Sequence, residues 1–226
     1  MPRFARIIAP GLPHHITQRG NYRQDVFTDD DDRRQYLYWL GDYSQKYGLS
    51  ILSYCLMSNH IHLIAIPKDE NSLARTLNTT HMRYSQYRNN KMGRNGHLWQ
   101  GRFFSCVMDD NHLLACARYI ERNPVRAHIV KKPCDYIWSS AKDHTGMPHA
   151  SIIHTKDLFK YIEIDQKKWA EYINTSDHPE EVSAIRKYTM NGRPLGSESF
   201  INKLERQFGE TLRAMPVGRP IKKARK

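Results

Sequence analysis

Between Asn59 and Lys68 the chain reads His-Ile-His-Leu-Ile-Ala-Ile-Pro, an apolar run closed by Pro67 and marked by two histidines. This run restricts the fold more than any other segment. Side chains alternate faces along a β-strand, so His60 and His62 project together while Ile61 and Leu63 point into a core on the other side. Two imidazoles held side by side on a rigid strand can grip one divalent metal ion. Polar residues at a sheet edge are the alternative reading, and the triplet alone does not choose between them.

The segments around this strand follow a regular order. Residues 11–18 read as a first strand after a Gly/Pro turn. The acidic run Asp29–Asp32 precedes an amphipathic stretch, as expected of a helix over 29–47 whose first turn complements the dipole and whose end is Gly48. Residues 49–57 read as a second strand and 60–66 as a third, joined near Ser58 by a turn that lacks glycine. Ser72 is placed to cap a helix over 72–89, with Leu73, Leu77 and Tyr84 on one side. A polar loop over 89–96 and a fourth strand over 102–108 follow. Asp109 or Asp110 caps a third helix over 110–123, which Pro124 limits. The order β-α-β-β-α-β-α predicts an α+β fold, a ferredoxin-like split βαβ antiparallel sheet with helices on one face. Beyond it, His144–Pro148 reads as a linker, and helical periodicity runs through 155–190. Residues 180–213 suit a small helix-turn-helix with Gly192 in the turn and Ser197 or Ser199 capping the second helix. The tail 216–226 carries five basic residues and no acidic ones. The expected divisions are a catalytic domain over 1–145, a helical DNA-binding extension over 146–215 and a basic disordered tail over 216–226.

Composition narrows the partners. A formal net charge of +12 on 226 residues points to a polyanion, nucleic acid or an anionic membrane. No apolar stretch reaches membrane-spanning length, and residues 1–10 lack a signal-peptide core, so no membrane association is expected. Mean hydropathy is −0.72. Cys55, Cys106, Cys116 and Cys134 are not closely paired and read as buried thiols in a reducing compartment.

Tyr119 and Asn123, four residues apart in the third helix, share a face there. A phenol and an amide oxygen on that face suit a metal held by His60 and His62. The phenolate would attack a phosphodiester, and the amide would serve as a third ligand for a hard ion. The competing reading of Tyr119 is an ordinary core tyrosine.

His60-Ile-His62, followed by Tyr119-Ile-Glu-Arg-Asn-Pro-Val125, resembles the single-tyrosine HUH transposases, and most of all their REP-associated branch. Four further blocks stand in the same order: Pro13-His-His-Ile-Thr-Gln-Arg-Gly-Asn21, Met57-Ser-Asn-His-Ile-His-Leu63, Leu98-Trp-Gln-Gly-Arg-Phe103 and Tyr136-Ile-Trp-Ser-Ser140. Together they span residues 11–140. The resemblance implies a metal-dependent enzyme that cuts single-stranded DNA near hairpins and rejoins it through a 5′-phosphotyrosine. It implies Tyr119 as nucleophile, His60 and His62 as ligands of Mg²⁺ or Mn²⁺, and Asn123 in the third-ligand position, where some relatives carry glutamine. No nucleotide cofactor is implied, since transesterification exchanges one phosphodiester for another, and no Gly-rich phosphate loop is found. A monomer in the bacterial cytoplasm, associated with the nucleoid, is the expectation.

Candidate DNA contacts are Arg19, Asn21 and Arg23 in the loop after the first strand, suited to base edges. Trp99 and Phe103, flanking Arg102, suit unpaired bases, which stack on aromatic rings beside an arginine, with core burial the alternative for Trp99. Arg219, Lys222 and Lys223 belong to the basic tail, where Gly218-Arg-Pro220 resembles an AT-hook. His15 has either a metal role or, preferentially, a structural hydrogen bond. Three rivals remain: a non-catalytic nucleic-acid-binding module of the same fold, a replication initiator or relaxase, and a metal phosphodiesterase in which water attacks. No RNP-type aromatic run supports the binding module.

Overall fold

The computed structural model describes residues 6–148 and 150–213. The basic tail, with Arg219, Lys222 and Lys223, lies outside the described residues. Four strands, β1 (His14–Arg19), β2 (Leu49–Leu56), β3 (His60–Pro67) and β4 (Phe104–Val107), form one sheet in the order β2-β3-β1-β4. Every neighbouring pair is antiparallel. This is the expected ferredoxin-like arrangement. Each split βαβ unit leaves a gap between two parallel strands, and a strand of the other unit fills it.

The two crossover helices are α1 (Asp30–Tyr47) and α2 (Ser72–Met92). Asp29 caps α1, accepting from the Asp32 amide at 2.9 Å, and Gly48 ends it in the left-handed conformation at φ 66°. A β-carbon at Gly48 would be strained there, which is why glycine serves. The start of α2 differs from expectation. Asp69 accepts from the amides of Asn71 (2.8 Å) and Ser72 (2.9 Å), while Ser72 Oγ accepts from the Asp69 amide at 3.1 Å. The cap therefore comes from a residue three positions before Ser72, and α2 continues three residues past Asn89.

Tyr36, Leu37 and Leu40 of α1 and Leu73, Leu77 and Tyr84 of α2 are buried with Ile16, Ile61 and Leu63 in one core cluster. Each fully buried aliphatic side chain contributes about 1.5–3 kcal/mol. The alternation predicted for β3 therefore holds: Ile61 and Leu63 face α1 and α2, and the histidines face away. Residues 57–59 connect β2 to β3 without positive φ, so the turn needs no glycine. Neighbouring loops hold it instead: Ser58 C=O accepts from Val26 and Phe27 at 2.8 and 2.9 Å, and Asn59 C=O accepts from Gly20 at 2.8 Å.

The helices expected on one face are α1 and α2; later elements add a layer on the other. The third helix, α3 (Asp110–Glu121), is capped by Asp109, which accepts from the His112 amide at 3.1 Å. It ends two residues earlier than predicted. Pro124 cannot donate to the helical ladder, and a separate turn, α4 (Asn123–Arg126), begins there. Residues 136–140 run along the free edge of β2, with Leu56 N bonded to Trp138 C=O at 2.9 Å and Ser140 N to Tyr54 C=O at 3.0 Å. This covers an edge that would otherwise be open to pairing.

The short α5 (Ala141–His144) follows. His144, expected in a linker, is fully buried and hydrogen-bonded to Glu121, which also accepts from Ser140 Oγ (2.6 Å) and Trp169 Nε1 (3.0 Å). The remaining helices are α6 (Gln166–Tyr172), α7 (Pro179–Asn191) and α8 (Glu198–Phe208). Gly192 ends α7 and Ser197 caps α8, as the helix-turn-helix pattern anticipates. The connection between them also pairs with the sheet: Leu195 N donates to Val107 C=O at 2.9 Å, and Asp109 N to Leu195 C=O at 3.2 Å. All four cysteines are buried free thiols. Among the described residues no helix is long and apolar enough to cross a membrane.

Candidate active site

The histidine face of β3 is where three chain segments converge. His60 and His62 are neighbours on it, their ring centroids 5.1 Å apart and the planes nearly perpendicular at 86°. In the adjacent strand, His15 shares this face; its ring lies edge to edge with that of His62, centroids 5.1 Å apart and planes 16° from parallel. Opposite them, α3 delivers Tyr119, whose ring lies 5.5 Å from that of His62 and 5.9 Å from that of His15. The last turn of α3 thus places the expected nucleophile over the expected ligand strand.

Hydrogen bonds orient these rings. His60 Nδ1 lies 2.6 Å from Asn59 Oδ1. Asn59 Nδ2 donates to Arg23 C=O at 3.3 Å, so Oδ1 is the acceptor and His60 Nδ1 carries the proton. This leaves a lone pair on His60 Nε2. His15 Nε2 lies 2.9 Å from His62 Nδ1. All three imidazoles are held neutral. Burial pushes His15 down to about 3, and burial together with Arg19 pushes His60 down to about 4. His62 is held well below its usual 6.5 by burial, with His60, His15, Arg126 and Arg19 adding to the effect. Neutral imidazole is the form that binds a metal ion.

The donor set suits a divalent cation incompletely. Among the described residues no group of three or more His, Cys, Asp or Glu side chains is placed to hold one. Two imidazoles therefore need a further oxygen ligand, which an amide or a substrate phosphate supplies. Asn123, the expected third ligand, opens α4. Its Nδ2 is buried with no hydrogen-bond partner among the described residues, so that amide donor is not used by the surrounding protein. That donor does not bind a cation, which would take Asn123 through Oδ1; the fit to a metal ion rests on the two neutral imidazoles of His60 and His62, with oxygen ligands completing the shell.

Arg126 is a residue the sequence reading did not select. Its guanidinium lies 4.2 Å from the Tyr119 ring centroid, and its Nη2 donates to Tyr119 C=O at 2.5 Å. Burial lowers its pKa, while Tyr119 and Asp177 act in the opposite direction. The available signal was spacing: seven residues after Tyr119 is two helical turns, on the same side. Arg118, Arg122 and Arg126 together tie α3 and α4 to the segment before α7. Arg122 Nε donates to Asp177 at 3.0 Å and its Nη1 to Ile173 C=O at 2.7 Å; Arg126 reaches the same Asp177 at 3.4 Å.

The expected DNA-contacting residues divide. Arg19 is exposed at the end of β1, directly opposite His60 in the ladder. Asn21 and Arg23 bound a tight turn in which Tyr22 and Arg23 adopt φ 50° and 60°. These conformations are rare for residues with a side chain and cluster at functional positions. Between them Tyr22 is 94% exposed, a ring the sequence reading passed over. Gly20 permits the turn, since a Cβ there would sit 2.2 Å from Gln24 C=O. Arg102 is exposed in a loop that pairs with the end of β1 through Gln100 N and Arg19 C=O at 2.9 Å. Trp99 is a correction. Its ring is enclosed by His81, Tyr84 and Tyr36 at 4.7–6.3 Å, and its Nε1 donates to His81 C=O at 3.3 Å. The large apolar ring gains more from the core than the surface offers, so it is not available to stack on a base.

Comparison with known proteins agrees with this architecture. A family model described as IS200-like transposase matches residues 10–123. Among solved structures, a REP-associated tyrosine transposase bound to a REP hairpin is similar over 73% of this chain and 98% of its own, at 19% identity and a TM-score of 0.52. A crystal structure of a candidate transposase from Deinococcus radiodurans is similar over 54% of this chain and 97% of its own, at 20% identity and a TM-score of 0.36. No curated protein matches the chain.

Proposed function

The chain belongs to the family of IS200-like transposases, and from that premise we propose that it nicks and rejoins single-stranded DNA at hairpins, using Tyr119 as the nucleophile. The observation that carries this reading is the meeting of Tyr119, His62 and His15 within 6 Å, ring to ring, on the histidine face of the sheet. Tyr119 is buried among core residues, and its position over two neutral, hydrogen-bond-oriented imidazoles is what supports a role beyond packing.

In the proposed reaction Tyr119 Oη attacks the phosphorus of a phosphodiester. One P–O bond forms to the phenol and one breaks to the sugar 3′ oxygen, giving a 5′-phosphotyrosine and a free 3′-hydroxyl. The phenol loses a proton and the leaving oxygen gains one, so the step is balanced and reversible. His60 and His62 would hold a divalent ion, Mg²⁺ or Mn²⁺, through their Nε2 atoms, with Asn123 or a substrate oxygen completing the shell. Bound there, such an ion polarises a phosphate oxygen. Arg126, stacked on the Tyr119 ring, keeps the phenol in place and puts positive charge beside it. Arg19, Asn21, Tyr22, Arg23 and Arg102 offer cations, an amide and an exposed ring to a DNA strand at the same end of the sheet. The net charge of +12 supports binding to a polyanion beyond these contacts. A hairpin substrate is supported by the fold-level likeness to the protein bound to a REP hairpin. The reading includes a monomer, associated with DNA in the cell.

The test is a denaturing gel of the protein with end-labelled hairpin DNA and Mg²⁺ or Mn²⁺, beside Tyr119→Phe. A slow-migrating covalent species from the wild type alone is the expected result. Cleavage by both proteins without an adduct would replace Tyr119 with a water nucleophile. Binding without cleavage or adduct would leave a DNA-binding module.

A further inference from the structure

The hydrogen bonds behind His62 lead out of the residues matched by the family model and into α7. Thr189, in the last turn of that helix, donates its hydroxyl proton to Ile185 C=O, one turn back, at 2.7 Å. A hydroxyl has one proton. The contact of 2.7 Å between Thr189 Oγ1 and His15 Nδ1 must then be donated by the histidine. His15 carries its proton on Nδ1 and presents a lone pair at Nε2. That lone pair faces His62 Nδ1 at 2.9 Å, which must be the donor. His62 is left with an unprotonated Nε2.

We propose that Thr189 and His15 are positioning residues that set the tautomer of His62, so that the C-terminal helix α7 determines whether the histidine strand can bind a cation. The relay has two arrangements. In the other one Thr189 would donate to His15, each proton would move one place, and His62 would carry its proton on Nε2, where no metal could bind. The Ile185 carbonyl selects the first by occupying the hydroxyl proton. His15, Thr189 and His62 are 2, 2 and 7% exposed, so bulk water does not compete for these contacts. His60 reaches the same state through its own neighbour, Asn59. The two ligands are thus prepared separately, one by a local side chain and the other by a residue 127 positions further along the sequence. Ligating histidines commonly have the second nitrogen held in this way, and loss of such a partner costs 10–100-fold in metal affinity or activity.

The inference rests on His60 and His62 as metal ligands, and its test separates the two claims. In the metal-free, ¹⁵N-histidine-labelled full chain, two-bond ¹H–¹⁵N correlations report the tautomer of each ring directly. Wild-type His62 is expected as the Nδ1–H form. Thr189→Val keeps the shape but cannot accept a hydrogen bond, so His62 is expected to shift toward the Nε2–H form. Mn²⁺ affinity, read by the electron paramagnetic resonance of the free ion, should fall by about 10–100-fold. Thr189→Ser should restore both. A wild-type His62 in the Nε2–H form, or a Thr189→Val chain with unchanged tautomer and unchanged Mn²⁺ affinity, overturns the relay. A wild type showing the Nδ1–H form, lost in Thr189→Val, that binds no Mn²⁺ sustains the relay and overturns the metal reading alone. If Thr189→Val does not fold, the wild-type tautomer still decides.

Discussion

Acidification should unfold this protein well above the pH at which carboxylates titrate. His14, His15, His62 and His81 are all buried, at 8% exposure or less. Burial drives each one's pKa downward: to about 4 for His14, to about 3 for His15 and His81, and well below 6.5 for His62. In the unfolded chain each returns to about 6.5. Below that pH the unfolded state binds protons that the folded state refuses, so stability is greatest above 6.5 and is lost as pH falls toward the folded values. Each group removes about 1.4 kcal/mol in all between pH 7.5 and 5.5, so the four together remove about 5 kcal/mol. A typical domain has about 5–15 kcal/mol in total. His144 acts in the opposite sense. With Glu121 beside it, its pKa is raised against the effect of burial, so its contribution is fully present below 6.5 and offsets part of the loss. The assay is urea unfolding followed by tryptophan fluorescence at pH 7.5, 6.5 and 5.5 in EDTA. His81→Gln preserves an acceptor for the Tyr36 hydroxyl, now 3.1 Å from His81 Nε2, and should reduce the loss between pH 7.5 and 5.5 by about 1.4 kcal/mol. Stability that is flat or rising on acidification would refute the claim that these imidazoles are neutral in the fold.

Three further outcomes are expected. Glu121→Ala leaves His144, Trp169 Nε1 and Ser140 Oγ without their shared acceptor. The cost should be about 3–5 kcal/mol, a fall in Tm of about 10 °C by calorimetry; a loss under about 1 kcal/mol would show that the buried group is not an ion pair. Tyr22→Ala should weaken single-stranded DNA binding by about tenfold or more in fluorescence anisotropy, the value of one stacking platform, without lowering Tm. Unchanged affinity would remove that ring from the DNA interface. Arg126→Lys loses the planar fork that both stacks on Tyr119 and bonds its carbonyl. The rate of covalent adduct formation should drop by about tenfold while DNA affinity changes little, and an unchanged rate would assign Arg126 a purely structural role.

Local sequence determined the strands, the helices and their order, because those depend on periodicity and on residues close in the chain. The alternation at 60–66, the Asp29 and Asp109 caps and the Gly48 and Gly192 terminations can each be read within a few positions. The pairing of His60 with His62 is legible for the same reason: a period of two puts both on one face whatever surrounds the strand. The placement of Trp99 was not. An aromatic beside an arginine looks the same in sequence whether it packs among Tyr36, His81 and Tyr84 or lies open to DNA, and only the position of the loop relative to α1 and α2 decides. The end of α3 moved because a proline acts on the helical ladder before it, a local effect whose reach varies by a residue or two. Glu121 and Thr189 acquire their roles from contacts across the fold. Thr189 lies 174 positions from His15, and nothing near it in the chain distinguishes it from an ordinary helix threonine. Which face a residue occupies follows from its own segment; the proton carried by the imidazole on that face depends on a partner brought to it only by folding.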